Sequence, residues 1–120
     1  MKNNIESPIH NKSMQFAVRV VHLCKHIRVE KHEYDLASQL LRSGTSIGAN
    51  IRESKNAQSR NDFISKLNIA LKESDETSYW LTLLHEAKII DNTVYQSMHH
   101  DCVELIRMLT SSINTLKKSD

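Results

Sequence analysis

The sequence is poor in the residues that break helices and form tight turns. Its 120 residues include two glycines and one proline, and they contain no Asn-Gly or Asp-Gly pair of the kind that closes a β-hairpin. No apolar run approaches the ~18 residues needed to span a bilayer, and the N-terminus lacks the apolar core of a signal peptide. These absences indicate one helical domain, and we expect a cytoplasmic protein without membrane contact.

Cysteine is also scarce. Cys24 and Cys102 stand alone, without the spacing of a metal or redox motif. In a reducing compartment such residues usually serve as small apolar side chains in the core. We therefore expect both to be buried, and we expect no disulfide between them.

Apolar residues recur at the i, i+3, i+4, i+7 spacing of amphipathic helices in four segments. Ser7-Pro8 is typical of a helix start, Ser59 with Asp62 resembles a capping box, and Asp91 is a third capping residue. Because the connections are short, consecutive helices are expected to run antiparallel. The prediction is an all-α, antiparallel up-down-up-down four-helix bundle in one domain, 1–120, with helices at about 8–28, 35–56, 60–88 and 92–117.

Both glycines lie in the stretch Leu40–Glu53 of the second helix. Glycine inside a helix costs roughly 1 kcal/mol relative to alanine, so Gly44 and Gly48 suggest that a backbone or a ligand approaches closely. Both lie beside the apolar stripe of this helix, on the flank shared with Ala37 and Leu41. This position favours close helix packing, within or between subunits, over a ligand pocket.

Polar residues near the glycines are predicted to be structural. Asn50 lies at the margin of the apolar stripe, where its amide needs hydrogen-bond partners, and we expect these across the bundle. A ligand-binding or solvent-exposed Asn50 is the alternative. Glu53 lies one turn further on and is expected to pair with Asn50 or with a basic residue on a neighbouring helix. The predicted structural polar residues are Ser46, Asn50 and Glu53.

The third helix carries a second stripe, away from the face that enters the core. Trp80, the only tryptophan, lies on it, and aromatic residues are favoured at the centres of protein interfaces. A lone bundle buries one face of each helix, so we expect a subunit interface here and a homo-oligomer. The alternative is that Trp80 folds over an edge of the bundle. The first helix offers a counterpart that includes Val21, and the predicted interface residues are Met14, Val18, Ile69, Glu73, Glu76, Trp80 and Leu83.

Positive charge is concentrated in the first half of the chain. Residues 1–58 hold nine lysines and arginines against five acidic residues, whereas residues 59–90 hold four against five and residues 91–120 three against four. Ordinary solvated helix faces explain such a bias, and a basic surface that meets phosphates is the alternative. The candidate nucleic-acid-binding residues are Arg19, Arg42, Arg52, Lys55, Arg60 and Lys66.

Motifs that carry catalysis or bind metal are absent from the sequence. There is no glycine-rich phosphate loop and no Glu-x-x-His pair of the di-iron bundles. His22 and His26 are four residues apart but lack a third ligand at suitable spacing. No spacing links a serine to a histidine and an acid, although such a triad can assemble from distant residues. The sequence predicts no catalytic residue, no metal site and no cofactor, and thus a protein that is not an enzyme.

Two segments together carry a resemblance to a known family. The first is Arg42, Ser46-Ile47, Gly48-Ala49, Asn50-Ile51 and Glu53, and the second is Asp62-Phe63, Leu67, Ile69-Ala70, Glu73, Glu76, Thr77, Tyr79, Trp80 and Leu81. Through them the sequence resembles the four-helix-bundle family of proteins encoded in intervening sequences of bacterial 23S ribosomal RNA. That family includes the accessory variability determinant of diversity-generating retroelements. Lys72-Glu73 replaces a Gly-Ser pair of many members, which leaves the branch-specific partner open.

The resemblance implies a homopentameric ring of antiparallel bundles without catalytic activity. Retroelement members of the family bind nucleic acid and a reverse transcriptase through a basic surface, and most other members have no assigned activity. Two functions remain open on this basis: a scaffold for RNA or DNA with a reverse transcriptase as partner, or a protein adapter that presents the acidic and apolar surface around Trp80. A small-molecule or metal site within the bundle is a third alternative.

Overall fold

A computed structural model describes residues 7–118, which form four α-helices and no strand. The helices are α1 (Pro8–Lys31), α2 (Tyr34–Ser54), α3 (Arg60–Glu86) and α4 (Asn92–Lys118). The predicted all-α, four-helix fold is thereby confirmed. The helix ends differ from the expected positions by no more than three residues. None of the helices in residues 7–118 combines the length and the apolar character needed to cross a membrane.

Three of the helices begin at side chains that cap their free amides. Such a cap satisfies one of the N–H groups that a helix start leaves without an intrahelical partner. The three caps are those expected from the sequence. The capping oxygens belong to Ser7, Ser59 and Asp91, and they accept hydrogen bonds from the amides of His10, Asp62 and Val94 at 3.2, 3.0 and 2.8 Å.

The first helix continues three residues past its expected end. His32 stops it in the left-handed conformation, with φ 57°, and donates its amide to the carbonyl of Ile27. Lys88 adopts the same conformation after α3, with φ 64°. Neither position holds the glycine or asparagine that usually marks such a stop, so the sequence carried no clear sign of it.

The helices pack in the order α1–α2–α3–α4, and α4 returns against α1. Backbones of α1 and α3, and likewise of α2 and α4, do not approach each other among the described residues. The apolar stripes predicted from the sequence face the space between the four helices. Buried side chains from all four helices form this core: Phe16, Val20, Leu23, Ile27, Leu40, Ile47, Ile51, Leu67, Ala70, Leu81, Leu84, Met98, Cys102, Leu105, Leu109 and Ile113.

The two glycines line the seam between α1 and α2. A Cβ added to Gly44 would lie 2.8 Å from Cγ1 of Val20, and one added to Gly48 would lie 3.3 Å from Oγ of Ser13. Only a residue without a side chain lets the two helices approach this closely at Gly44. The expected close helix packing is confirmed, and it occurs within one subunit.

Both cysteines are buried and unpaired, as expected. The thiol of Cys24 donates to the carbonyl of Ala37, and the thiol of Cys102 donates to the carbonyl of Ser74, each over 3.3 Å. Burial raises the pKa of Cys24 to about 11 and the pKa of Cys102 to about 12. Both groups therefore remain neutral thiols near pH 7.

Ion pairs join α1 to α4, whose seam is the least extensive of the four. The ammonium of Lys12 lies 3.0 Å from a carboxylate oxygen of Asp101 and 2.8 Å from one of Glu104. The guanidinium of Arg19 lies 2.5 Å from the second carboxylate oxygen of Asp101. Asp101 thus accepts hydrogen bonds from two cations on the neighbouring helix. We call Lys12, Arg19, Asp101 and Glu104 the α1–α4 clamp.

Because of the α1–α4 clamp, we expect the stability of the fold to fall at acidic pH. Partial burial by itself raises the pKa of Asp101, but the hydrogen bonds from Lys12 and Arg19 outweigh it and hold that pKa below its ordinary value of 3.8. A carboxylate with a lowered folded-state pKa stabilises the fold above its unfolded-state pKa, and this contribution is lost as the pH falls toward the folded value. Asp101→Asn should cost about 0.5–1.5 kcal/mol at pH 7.

The difference between Asp101→Asn and the parent chain should shrink as the pH falls below about 5 and vanish once the pH passes below the lowered folded-state pKa of Asp101, because only the parent loses the charge of Asp101. Urea unfolding at a series of pH values measures it. Parallel curves for the two proteins across that range would contradict the assignment.

Candidate nucleic-acid interface

Four of the six candidate cations lie at one end of the bundle. Arg52 and Lys55 belong to the end of α2, and Arg60 and Lys66 belong to the start of α3. Arg60 donates a hydrogen bond to the carbonyl of Leu116, which brings the end of α4 to the same place. We call this end of the molecule the basic pole.

Two further lysines complete the basic pole. Lys117 and Lys118 form the last residues of α4, directly after Leu116. Neither was predicted from the sequence, because the charge bias drew attention to the first half of the chain. Their position in the last helical turn, where lysine is favoured, was the signal that could have found them. Among residues 7–118 the pole contains six cations, Arg52, Lys55, Arg60, Lys66, Lys117 and Lys118, against two acidic residues, Glu53 and Asp62.

The cations of the pole differ in how far their charge is already neutralised. Lys66 pairs with Glu53 over 3.1 Å. Arg52 and Lys55 are exposed, and no carboxylate among residues 7–118 lies within ion-pair distance of either. These two side chains keep their full charge for a ligand in solvent.

The structure does not bring Arg19 and Arg42 to the basic pole. Arg19 belongs to the α1–α4 clamp, whereas Arg42 donates a hydrogen bond to Glu76 on α3. The α1–α4 seam and the α2–α3 seam lie on opposite sides of the ring of helices, so the two arginines do not share a surface. Both guanidinium groups are matched by carboxylates of their own subunit.

Arg42 instead joins residues that were predicted as an interface. The same carboxylate oxygen of Glu76 accepts hydrogen bonds from Arg42 and, over 3.1 Å, from the indole nitrogen of Trp80. A carboxylate oxygen of Glu73 lies 3.9 Å from the Arg42 guanidinium. The rings of Tyr79 and Trp80 meet edge to face, with centroids 5.0 Å apart. Arg42 therefore holds the acidic residues around Trp80 in place.

Two apolar helix faces remain exposed on the described chain. The α1 face consists of Met14, Val18 and Val21, whose exposed fractions are 47–49%. The α3 face consists of Ile69, Tyr79, Trp80 and Leu83; Ile69 and Tyr79 are exposed, and Trp80 and Leu83 are partly buried. Because α1 and α3 are not neighbours, these are two separate surfaces.

The predicted structural polar residues mostly bond within their own helix. Ser46 donates to the carbonyl of Arg42, and Asn50 donates over 2.9 Å to the carbonyl of Ser46. The amide of Asn50 thus finds its partner within α2, whereas the sequence suggested a partner across the bundle. Glu53 pairs with a basic residue on a neighbouring helix, Lys66, which was one of its two expected partners.

A pair of buried hydroxyl groups adds a polar link between α2 and α3 inside the core. Thr77 donates to Ser43 over 3.0 Å, and both side chains are fully buried. Sequence reasoning missed this pair as a structural link. The match of Thr77 to the family pattern was the available signal.

The histidines with metal-like spacing remain on the surface. His22 and His26 are both exposed on α1. One cluster of possible ligand atoms occurs among the described residues, with His100, Asp101 and Glu104 within 4.8 Å of one another. The Lys12 ammonium already lies between its two carboxylates. This arrangement is an ion-pair network, and it carries no further sign of a metal.

The fold and these surfaces define a small four-helix protein with a cationic end and two unpaired apolar faces. Residues 6–111 match the family described as 23S rRNA-intervening sequence protein. The chain belongs to this family, as its helix 2 and helix 3 patterns indicated. A search among curated proteins gives no match.

A solved structure supports the assignment. It is the 1.70 Å crystal structure of a protein with unknown function from the S23 ribosomal protein family of Bacteroides thetaiotaomicron VPI-5482. The two chains are 52% identical, and the TM-score is 0.87. The match covers 88% of this chain and 97% of the other, so the similarity extends over nearly the whole fold.

Proposed function

We propose that this protein is a non-enzymatic, oligomeric scaffold that binds the phosphate backbone of RNA or DNA through its basic pole. The observation that carries the proposal is the clustering of six cations at one end of the bundle. Binding to phosphates needs clustered cations and no base-reading motif. The family name refers to an RNA sequence, which makes RNA the first ligand to test.

The proposed scaffold is built from antiparallel bundles. Lys66, near the start of α3, pairs with Glu53 near the end of α2, and Arg60 at the start of α3 contacts Leu116 near the end of α4. Both contacts support the up-down-up-down order. With this order, the start of α1 also faces the basic pole.

The proposed assembly is a homopentameric ring. The α1 face and the α3 face are different apolar surfaces, and a contact between two different surfaces generates a ring when the rotation closes. The number five comes from the family resemblance alone. Repetition of a weak basic pole around such a ring would increase the overall affinity for one nucleic acid, because later contacts become intramolecular.

The proposal extends to a setting and a second partner. The two unpaired thiols support a reducing, cytoplasmic location. The resemblance to retroelement accessory proteins suggests a reverse transcriptase as a further partner.

A salt titration tests the nucleic-acid proposal. The logarithm of the binding constant should fall linearly as the logarithm of salt concentration rises, with a slope of about −0.9 for each duplex phosphate neutralised, or about −0.7 for a single strand. Replacement of Arg52 and Lys55 together by glutamate should weaken binding at least tenfold at low salt and make the slope shallower.

The matched control is Lys25→Glu with Lys31→Glu in the second half of α1, away from the basic pole. This control changes the net charge by the same amount as the replacement of Arg52 and Lys55. No binding at low salt, or an equal loss in both double variants, would refute the assignment of the pole.

A protein adapter is the second candidate function. The 58% exposure of Tyr79 beside Trp80, with Glu73 and Glu76 next to them, favours it, since aromatic residues commonly anchor protein interfaces. It predicts that the purified oligomer binds neither RNA nor DNA even at low salt. The same titration therefore separates the two candidates.

A further inference from the structure

An apolar groove opens within the basic pole. Its volume is about 500 Å³, and all four helices contribute to it. The apolar side chains that line it come from α1 to α4, and serine and threonine side chains surround them. These apolar residues are Ile9, Ile51, Phe63, Leu67 and Leu116.

Among the described residues, one charged side chain lines this groove. It is Lys55, at the end of α2. Its ammonium has no carboxylate within ion-pair distance among residues 7–118. The first turns of α1 and α3 lie at the same end, and helix N-termini carry partial positive charge. The electrostatics of the groove thus favour one negative group near Lys55.

The lining also constrains the body of a ligand. Small-molecule sites usually measure about 300–1,000 Å³ and combine an apolar lining with a few polar groups, which describes this groove. Within residues 7–118, the apolar part offers no charged partner, so a multiply charged or strongly hydrated ligand would lose its solvation there without compensation. An unbranched hydrocarbon chain loses nothing in this way.

We propose that the groove binds a free medium-chain carboxylate, with its hydrocarbon chain between Ile51, Phe63 and Leu67 and its carboxylate paired with Lys55. This site is distinct in chemistry from backbone binding at the basic pole. Because Lys55 belongs to both, a bound carboxylate neutralises a cation of the pole that has no ion-pair partner among residues 7–118.

Calorimetric titration of the full chain with hexanoate, octanoate and decanoate tests the site, each below the concentration at which it forms micelles. Each added methylene should raise the affinity about fourfold, as expected for burial of a CH₂ group. Lys55→Gln should weaken decanoate binding about threefold to fivefold, the size expected of a partly exposed ion pair, and leave 1-decanol binding unchanged. Lys118→Gln is the matched control, because Lys118 belongs to the pole but does not line the groove.

A second variant blocks the groove from its rim. Thr115 is exposed and lines the groove, so Thr115→Trp adds bulk at the opening without removing a core side chain. Decanoate affinity should fall more than tenfold at an unchanged melting temperature. The proposal would be overturned if the affinity did not rise from hexanoate to decanoate, or if Thr115→Trp bound decanoate as tightly as the parent chain.

Two other occupants would give different results. Binding only to a chain that starts at Ser7 would assign the groove to the protein's own preceding residues. A molar mass that falls when decanoate binds would assign it to a second copy of the chain. Either result overturns the proposal, whereas binding to the full chain at constant molar mass supports it.

Discussion

Replacement of Trp80 by aspartate is expected to reduce the molar mass of the protein in solution to that of one chain, 13.8 kDa. Trp80 lies on the α3 face, and its indole donates to Glu76. Aspartate removes the aromatic surface and places a third carboxylate beside Glu73 and Glu76. Loss of such a central aromatic residue commonly costs about 2 kcal/mol or more of binding free energy at an interface. In a ring, every subunit contact loses roughly the same amount, because all the contacts are equivalent.

Light scattering with size-exclusion chromatography measures this change. Tyr34→Asp is the matched control, because Tyr34 is as exposed as Tyr79, at 58%, but begins α2 and belongs to neither apolar face. An unchanged molar mass for Trp80→Asp would show that the α3 face is not a subunit contact.

A mixture of two variants, each with one disrupted face, tests which faces contact each other between subunits. Val18→Asp disrupts the α1 face and keeps the α3 face, whereas Trp80→Asp does the reverse. If the α1 face of one subunit binds the α3 face of the next, each variant alone should be a monomer. An equal mixture should form a two-chain complex and nothing larger, since only one pair of intact faces remains. Val18→Asp alone would stay oligomeric if α3 faces bound each other, which would contradict this arrangement.

Gly44→Ala is expected to destabilise the fold by about 1–3 kcal/mol, although alanine favours helices by about 1 kcal/mol over glycine. The new Cβ would lie 2.8 and 2.9 Å from the two methyl groups of Val20, which is completely buried. Neither methyl group can move without displacing its own neighbours in the core. The overlap therefore outweighs the gain in helix propensity.

Gly48→Ala is the matched comparison, in the same helix and on the same seam. Its Cβ would approach the hydroxyl of Ser13 at 3.3 Å and the Ser13 carbonyl oxygen at 3.5 Å, both tolerable distances after a small adjustment. This variant should be neutral or up to about 1 kcal/mol more stable than the parent. Chemical denaturation of both variants gives the comparison. Equal effects at the two positions would show that Val20 does not limit the spacing of α1 and α2.

Features that depend on neighbours along the chain could be predicted from the sequence. Capping by Ser7, Ser59 and Asp91 involves an amide only three residues away, and the apolar stripes depend on spacing within one helix. The close approach at Gly44 could also be anticipated, because glycine in a helix needs a compensating reason. The sequence could not show that this approach occurs within one subunit, because that depends on where α1 lies in the structure.

The candidate site was harder to predict because charge is a property of a residue, whereas a free charge depends on its surroundings. Arg19 and Arg42 resemble Arg52 in the sequence, yet each meets a carboxylate 82 or 34 residues away in the chain. Lys117 joins Arg52 only through the return of α4. The spacing of residues along one helix gives no information on such contacts between helices.

The position of the groove decides where a tag or a fusion partner can be attached to this protein. Ser7 and Leu116 both line it, so α1 begins and α4 ends at the same end of the molecule. An affinity tag or a fluorescent fusion joined directly to the start of α1 or to the end of α4 would emerge beside the basic pole. The turn at His32 and Glu33 lies one helix length away, roughly 36 Å for 24 residues. An insertion there would leave the pole uncovered for binding measurements.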